Sequence, residues 1–239
     1  MRAVLCGANG AMGRLIDGIL GSEIVGRVSI DGENNVPTTF AQLGKVEADV
    51  VIDFSHHTAV SDVLAYAKSI GAAAVIGTTG HTPEERTLIT AAAEEIPVFF
   101  SGNMSLGIAV LCRLARQAAA AFPEADIEIV ETHHTRKVDA PSGTALMLFN
   151  AIREARPEAY ANCGRSGEGR RTKEEIGIHA LRLGNVVGIH EVHIHTPNQS
   201  LTLKHESGSR AMLADGAVEA ARFVSGKPAG FYTMENMLG

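Results

Sequence analysis

The sequence predicts an α/β protein in two parts: a doubly wound parallel sheet, then an α+β domain with a mixed or antiparallel sheet. Three observations predict it. Short apolar runs alternate with helical patterns from residue 2 to residue 100. A glycine-rich turn, Gly7 to Gly13, joins the first apolar run to the first helical one. Near Ile176 the pattern changes to alternation of polar and apolar residues, the mark of strands with one buried face.

The elements follow in order. Residues 2–6 form a short apolar strand. The turn Gly7-Ala8-Asn9-Gly10-Ala11-Met12-Gly13 precedes a helical pattern that runs through Leu20. Glycines there let a pyrophosphate approach the backbone at a helix N-terminus. The spacing is G-x-x-G-x-x-G, and taken alone such glycines serve the turn as readily as a ligand. A second strand, Ile24 to Ile30, ends in Asp31, about where a carboxylate would accept from ribose hydroxyls. Together these features make the first part Rossmann-like and point to a dinucleotide.

The βα rhythm continues through a strand at 48–52 that ends at Asp53, a helix at 58–69 and a strand at 72–76. Gly77-Thr78-Thr79-Gly80 follows. Thr82-Pro83-Glu84-Glu85 is a helix start, with a cap, a proline at the first position and acids in the first turn. Pro97 to Phe100 is the next strand, followed by Ser101-Gly102-Asn103-Met104-Ser105. In an open parallel sheet, ligands sit at the carboxyl ends of the strands. The loops after Gly7, Asp31, Gly77 and Ser101 therefore share one crevice in this reading, although these are also ordinary turn residues.

Leu106 to Phe122 is a long apolar helix closed by Pro123. Asp126 to Val130 alternates as a strand, and Glu131-Thr132-His133-His134-Thr135-Arg136-Lys137-Val138-Asp139-Ala140-Pro141-Ser142-Gly143-Thr144-Ala145 follows. Pro141 blocks an earlier helix, Ser142 can cap a new one, and Gly143 and Thr144 leave N–H groups open in its first turn. Imidazole and ammonium groups beside an anion site suit a carboxylate substrate that needs a proton. The plainer reading is a pair of surface histidines and a helix cap.

Residues 163–175 are polar and rich in Gly and Arg, and read as a loop. Ile176 to Leu183, Val186 to His195 and Leu201 to His205 read as an antiparallel meander. Met212 to Val224 is an amphipathic helix before a short tail. His193 and His195 share a strand face, with His179, His190 and His205 nearby, but no cysteine or carboxylate cluster completes a metal ligand set. No metal is expected.

Composition excludes several functions. Of 239 residues 45% are apolar, enough for a sizeable core, and the net charge of −6 leaves no basic footprint for nucleic acid. Cys6, Cys112 and Cys163 match neither a disulfide framework nor a zinc spacing and fit a reducing cytoplasm. The start reaches Gly7 too soon for a signal peptide, and no apolar run is long enough to span a bilayer.

With these motifs in view, the chain resembles the dihydrodipicolinate reductase family, now called 4-hydroxy-tetrahydrodipicolinate reductases, of lysine and diaminopimelate biosynthesis. The resemblance covers nearly the whole chain, including Ser207-Gly208-Ser209-Arg210 and Gly230-Phe231-Tyr232-Thr233-Met234-Glu235. The histidine stretch is its most specific part. It implies His133 as proton donor or acceptor and Lys137 as the second catalytic group, with His134, Gly143 and Thr144 on a cyclic dicarboxylate substrate. It implies cofactor contacts at Gly7, Ala8, Asn9, Gly10, Ala11, Met12, Asp31, Gly77, Thr78, Thr79, Ser101, Gly102, Asn103 and Met104. It further implies a homotetramer joined through the second sheet, and a discontinuous dinucleotide-binding domain of residues 1–104 and 212–239 around a substrate-binding and oligomerisation domain of residues 105–211. The alternating strands also suggest apolar surface to cover between subunits.

One position departs from the better-known family pattern. Many members place an arginine after the ribose-binding acid, where it can meet a 2′-phosphate; here Asp31 is followed by Gly32. NADH is therefore expected over NADPH, unless Arg27 or Lys45 folds back. The rival readings are a dehydrogenase of an amino-acid semialdehyde, which would not require the His133, Lys137, Gly143 and Thr144 set, and a non-catalytic NADH sensor, which would need a DNA-binding or partner module that the sequence does not display.

Overall fold

A computed structural model describes residues 1–239, which divide into two compact units: Met1–Ser105 with Ala211–Gly239, and Leu106–Arg210. The first unit carries β1 (Ala3–Cys6), α1 (Ala11–Leu20), β2 (Ile24–Val28), α2 (Phe40–Leu43), β3 (Val50–Asp53), α3 (Val60–Ile70), β4 (Ala73–Ile76), α4 (Pro83–Ala92) and β5 (Pro97–Phe100). The sheet order is β11-β5-β4-β3-β1-β2, every neighbouring pair parallel. The edge strand β11 (Gly230–Tyr232) comes from the tail, where sequence reading saw no strand.

All four residues of β1, β3 and β4 are buried, because helices cover both sheet faces. Val4, Val51, Ala74, Ile76 and Val98 pack with Val63, Leu64 and Ile89 of α3 and α4. On the other face α7 (Ala211–Val224) lies along α1 and across β3, β4 and β5, with Phe223 edge-on to Phe99. Thr82 caps α4 in a capping box with Glu85, as its sequence predicts. The strand order turns back between β1 and β3, so the carboxyl ends of those two strands flank the crevice expected of an open α/β sheet.

The second unit carries α5 (Leu106–Ala121), β6 (Asp126–His133), α6 (Gly143–Ala155), β7 (Tyr160–Cys163), β8 (Glu175–Arg182), β9 (Ile189–Thr196) and β10 (Gln199–Glu206). Its sheet is mixed, in the order β10-β9-β6-β8-β7. The expected meander is corrected here. Only β9 and β10 form an antiparallel hairpin, while β6 lies between β8 and β9, parallel to the first and antiparallel to the second. Local alternation records which face of a strand is buried, not which strand lies beside it.

Helices α5 and α6 cover one face, packing Leu111, Leu148 and Ile152 against Ile127, Ile129, Ile178, Val192 and Ile194. The opposite face is largely polar: Arg165 and His179 pair with Glu128, and Lys204 and His193 with Glu191. Large apolar side chains that stay exposed along Ile176 to His205 are Leu181, Leu183 and Leu201. A short α8 (Met234–Met237) ends the fold, and no helix is long and apolar enough to cross a membrane.

Candidate active site

In the first unit the turn after β1 is built on backbone contacts. Gly7 has φ +80° and donates to Val28 O at 2.8 Å, tying the ends of β1 and β2 together. A Cβ on Gly7 would lie 2.3 Å from Phe54 O, and one on Gly13 would lie 2.1 Å from Gly7 O. The turn thus has room for neither side chain. Gly10 caps α1 without a side-chain hydrogen bond, and the first turn of α1 holds no acid. These are the conditions under which a helix start accepts phosphate.

Asp31 lies in the turn beyond β2 rather than at the strand's end. Its carboxylate accepts from Asn9 Nδ2 at 2.5 Å and from Glu33 N at 3.0 Å. These bonds, that from Asn9 first, hold its pKa below the usual carboxylate range. Sequence reading left two cations open nearby, and both are engaged: Arg27 with Asp17 at 2.6 Å, and Lys45 with Ser69 O at 3.4 Å. The cation beside Asp31 is instead Arg14, 3.8 Å from Glu33. Gly32 is in the left-handed region with φ +62°, so an arginine placed there would be strained.

Two clefts meet at Ser55. One, of about 410 Å³, is lined by Met12, Gly77, Thr78, Thr79, Gly102, Asn103 and Met104, all anticipated, together with Phe54, His56, His57 and Leu213, which were not. The other, of about 470 Å³, is lined by Gly7 with Ser29, Ile30, Thr38 and Phe40. Buried Asp53 organises the loops between them. It accepts from Ser55 Oγ at 2.5 Å and Thr78 Oγ1 at 2.7 Å, and burial raises its pKa. The Thr78 hydroxyl is thereby committed to the fold, as is that of Ser101, which donates to Asn103 O at 2.7 Å. Ala8 and Ala11 are part of the turn and first helical residue and line neither cleft.

The second unit assembles the histidine stretch around one carboxylate. Strand β6 runs on through His133, three residues beyond the expected end at Val130. Glu131 is fully buried and accepts from both ends of the Arg182 guanidinium at 3.0 Å and from Ser142 N at 3.1 Å, and its Oε2 lies 2.5 Å from His133 Nδ1. Burial works against its charge, and the bonds from Arg182 and His133 outweigh burial to keep its pKa below normal. The same group therefore holds the histidine and the start of α6. Ser142 caps α6 by accepting from Ala145 N at 3.2 Å, leaving Gly143 and Thr144 in an acid-free first turn.

His190 packs edge-to-face on His133 at 5.1 Å, and burial pushes its pKa down to about 4. His134 has a lowered pKa, from desolvation and then Arg136 and Arg210. Lys137 pairs with Asp139 at 2.7 Å. No group of three or more His, Cys, Asp or Glu is arranged to hold a metal ion.

Over residues 1–104 the chain matches the family described as dihydrodipicolinate reductase, N-terminus, and over residues 107–238 that described as dihydrodipicolinate reductase, C-terminus. The chain belongs to the dihydrodipicolinate reductase family. It is 41% identical to the 4-hydroxy-tetrahydrodipicolinate reductase of Caldanaerobacter subterraneus subsp. tengcongensis, over 100% of this chain and 98% of that one. It is 40% identical to that of Clostridium tetani, over 100% and 97%. The dipicolinate-bound dihydrodipicolinate reductase from Paenisporosarcina sp. TG-14 superposes with a TM-score of 0.80 at 25% identity, covering 99% of each chain.

Within this dihydrodipicolinate reductase family member, the residues that sequence reasoning missed are Glu131, Arg182 and His190 in the second unit, and Asp53 with the Phe54–His57 loop in the first. A signal for Glu131 existed. Ile127, Ile129, Glu131 and His133 share one side of β6 by their spacing of two, so a carboxylate and an imidazole stand on a face that is otherwise core.

Proposed function

We propose that the protein reduces 4-hydroxy-tetrahydrodipicolinate, by way of dihydrodipicolinate, to tetrahydrodipicolinate with NAD(P)H, in lysine and diaminopimelate biosynthesis. Near-full-length identity to 4-hydroxy-tetrahydrodipicolinate reductases supports the reaction. The observation that carries the chemistry is the shared hold of Glu131 on His133 and on the start of α6. A nicotinamide dinucleotide suits the first unit, where side chains are excluded at Gly7 and Gly13 beside an uncapped helix start. Gly7 to Met12, Asp31, Gly77 to Thr79 and Ser101 to Met104 would hold it. When bound, it supplies a hydride.

In the second unit a substrate carboxylate is placed on the Gly143 and Thr144 N–H groups, favoured by the helix dipole. Lys137, released from Asp139, and His134 meet the remaining polar groups. Asp139 is exposed and Lys137 partly so, and such a pair is worth about 1 kcal/mol, so the exchange costs little. His133 delivers a proton to the carbon that becomes basic as the hydride adds. The test is loss of NADH or NADPH absorbance with freshly generated 4-hydroxy-tetrahydrodipicolinate. Absence of turnover with both cofactors rejects the assignment.

Thr144→Val is expected to raise KM for substrate more than it lowers kcat, by the roughly 1.5–3 kcal/mol of a hydrogen bond to a charged group. Steady-state kinetics decide it; an unchanged KM makes Ser142 to Thr144 a helix cap only.

NADH is the proposed preferred cofactor. A 2′-phosphate would bring negative charge against Asp31, with Glu33 adjacent and Arg27 and Lys45 engaged elsewhere. One uncompensated contact of about 1–2 kcal/mol gives about ten-fold tighter NADH binding. Titrating both cofactors at low and moderate salt tests this. Tighter NADPH binding that weakens with salt, and is lost in Arg14→Ala, would show that Arg14 reads the phosphate and would overturn the preference.

The proposal extends to a homotetramer through the second sheet in the cytoplasm. Family resemblance supports the assembly, and cysteines that form no disulfide support a reducing compartment. Light scattering at micromolar concentration should return four times the chain mass; a monomer rejects the tetramer.

A further inference from the structure

A buried carboxylate on a core face is costly unless its charge is met. Glu131 is met on every side. Arg182, its neighbour on β8, supplies two hydrogen bonds, the Ser142 amide a third, and His133 Nδ1 lies at 2.5 Å. The ionisable groups around His133 are Glu131 on its own strand, Arg182 beside it on β8, His190 on β9 and His134, the next residue. Of these only Glu131 is within hydrogen-bond distance of its ring. The other ring nitrogen is turned toward Gly188, where a Cβ would lie 3.1 Å from Nε2. A side chain there would crowd the nitrogen left for chemistry.

We infer that Glu131 is a positioning residue for the proposed reaction: its carboxylate takes the Nδ1–H of His133, which makes Nε2 the proton-transferring nitrogen. The inference rests on the reading of His133 as proton donor. The imidazolium gives its Nε2 proton to the enamine carbon. The enamine electron pair forms the new C–H bond, and the N–H pair returns to Nε2. The neutral imidazole keeps its remaining proton on Nδ1, held by Glu131, which stays ionised throughout. A carboxylate behind a catalytic histidine acts in this way in hydrolase triads, by fixing tautomer and orientation.

The test combines nitrogen-15 histidine NMR of the unliganded protein with kinetics of Glu131→Gln. The His133 signals are assigned by their loss in His133→Gln. In the wild type, neutral His133 is expected to carry its proton on Nδ1. In Glu131→Gln that preference is lost, and kcat falls by at least about 10- to 100-fold, the range for carboxylates that orient metal-bound histidines, with KM within about three-fold. A wild-type His133 protonated on Nε2 overturns the inference even if the variant does not fold. So does a variant whose kcat stays within about three-fold, or one whose kcat falls while the tautomer is unchanged, which would make Glu131 a scaffold for Arg182 and Ser142 alone. An inert wild type in the absorbance assay sinks the reductase reading, while the tautomer measurement still stands or falls by itself.

Discussion

His133→Gln is expected to turn over about 10²- to 10⁴-fold more slowly than the wild type, the range for a positioned proton-transfer group. Dinucleotide affinity should hold, since the proposed cofactor residues lie in the other unit. The neighbouring imidazole offers no rescue: His190 is buried, and with a pKa pushed down to about 4 it is neutral at working pH. Steady-state kinetics with a separate NADH titration check both halves. Turnover within a few-fold of wild type would leave His133 a strand-end histidine and require another proton source.

Gly216→Ala is expected to destabilise the protein by about 3 kcal/mol or more, against the sign that helix propensity alone gives. Alanine in the middle of a helix normally gains about 1 kcal/mol over glycine. In α7, however, a Cβ on Gly216 would lie 1.7 Å from Met104 O. That neighbour is backbone and cannot turn aside, so α7 or the loop Ser101–Ser105 must shift, at or above the usual 1–3 kcal/mol of overpacking. For a chain of this size the loss corresponds to roughly 6–12 °C in Tm. Cofactor affinity should fall with it, because Gly102, Asn103 and Met104 line the cleft. Calorimetry showing an unchanged or raised Tm would refute the close approach.

Much of the fold was legible because local chemistry and fold agree. The capping box at Thr82 and Glu85, the strand Pro97–Phe100 and the glycine turn all state their structure in adjacent residues. Strand β7 was hidden because Tyr160 to Cys163 is exposed or half-exposed and flanked by polar residues, so no apolar run marks it. Strand β11 is short and opens on a glycine, and it forms only because β5 offers an edge. The insertion of β6 between β8 and β9 is a pairing between distant segments, which no local pattern encodes. In the candidate site, residue types and the helix cap could be read directly. The links could not: Arg182 reaches Glu131 from 51 positions away, and Lys137 turns to Asp139.

The division of the first unit between the two ends of the chain sets an order on biosynthesis. Leu106–Arg210 is contiguous and can close as soon as it has left the ribosome. The sheet made before it cannot. Its face bearing Phe99 waits for α7, and its edge at β5 waits for β11, both encoded after residue 210. For the time it takes to translate that interval, the nascent chain displays an apolar sheet face and an open strand edge, the two features that invite aggregation. The second unit is thus an insertion within an unfinished host, and segments translated after it seal the sheet translated before it.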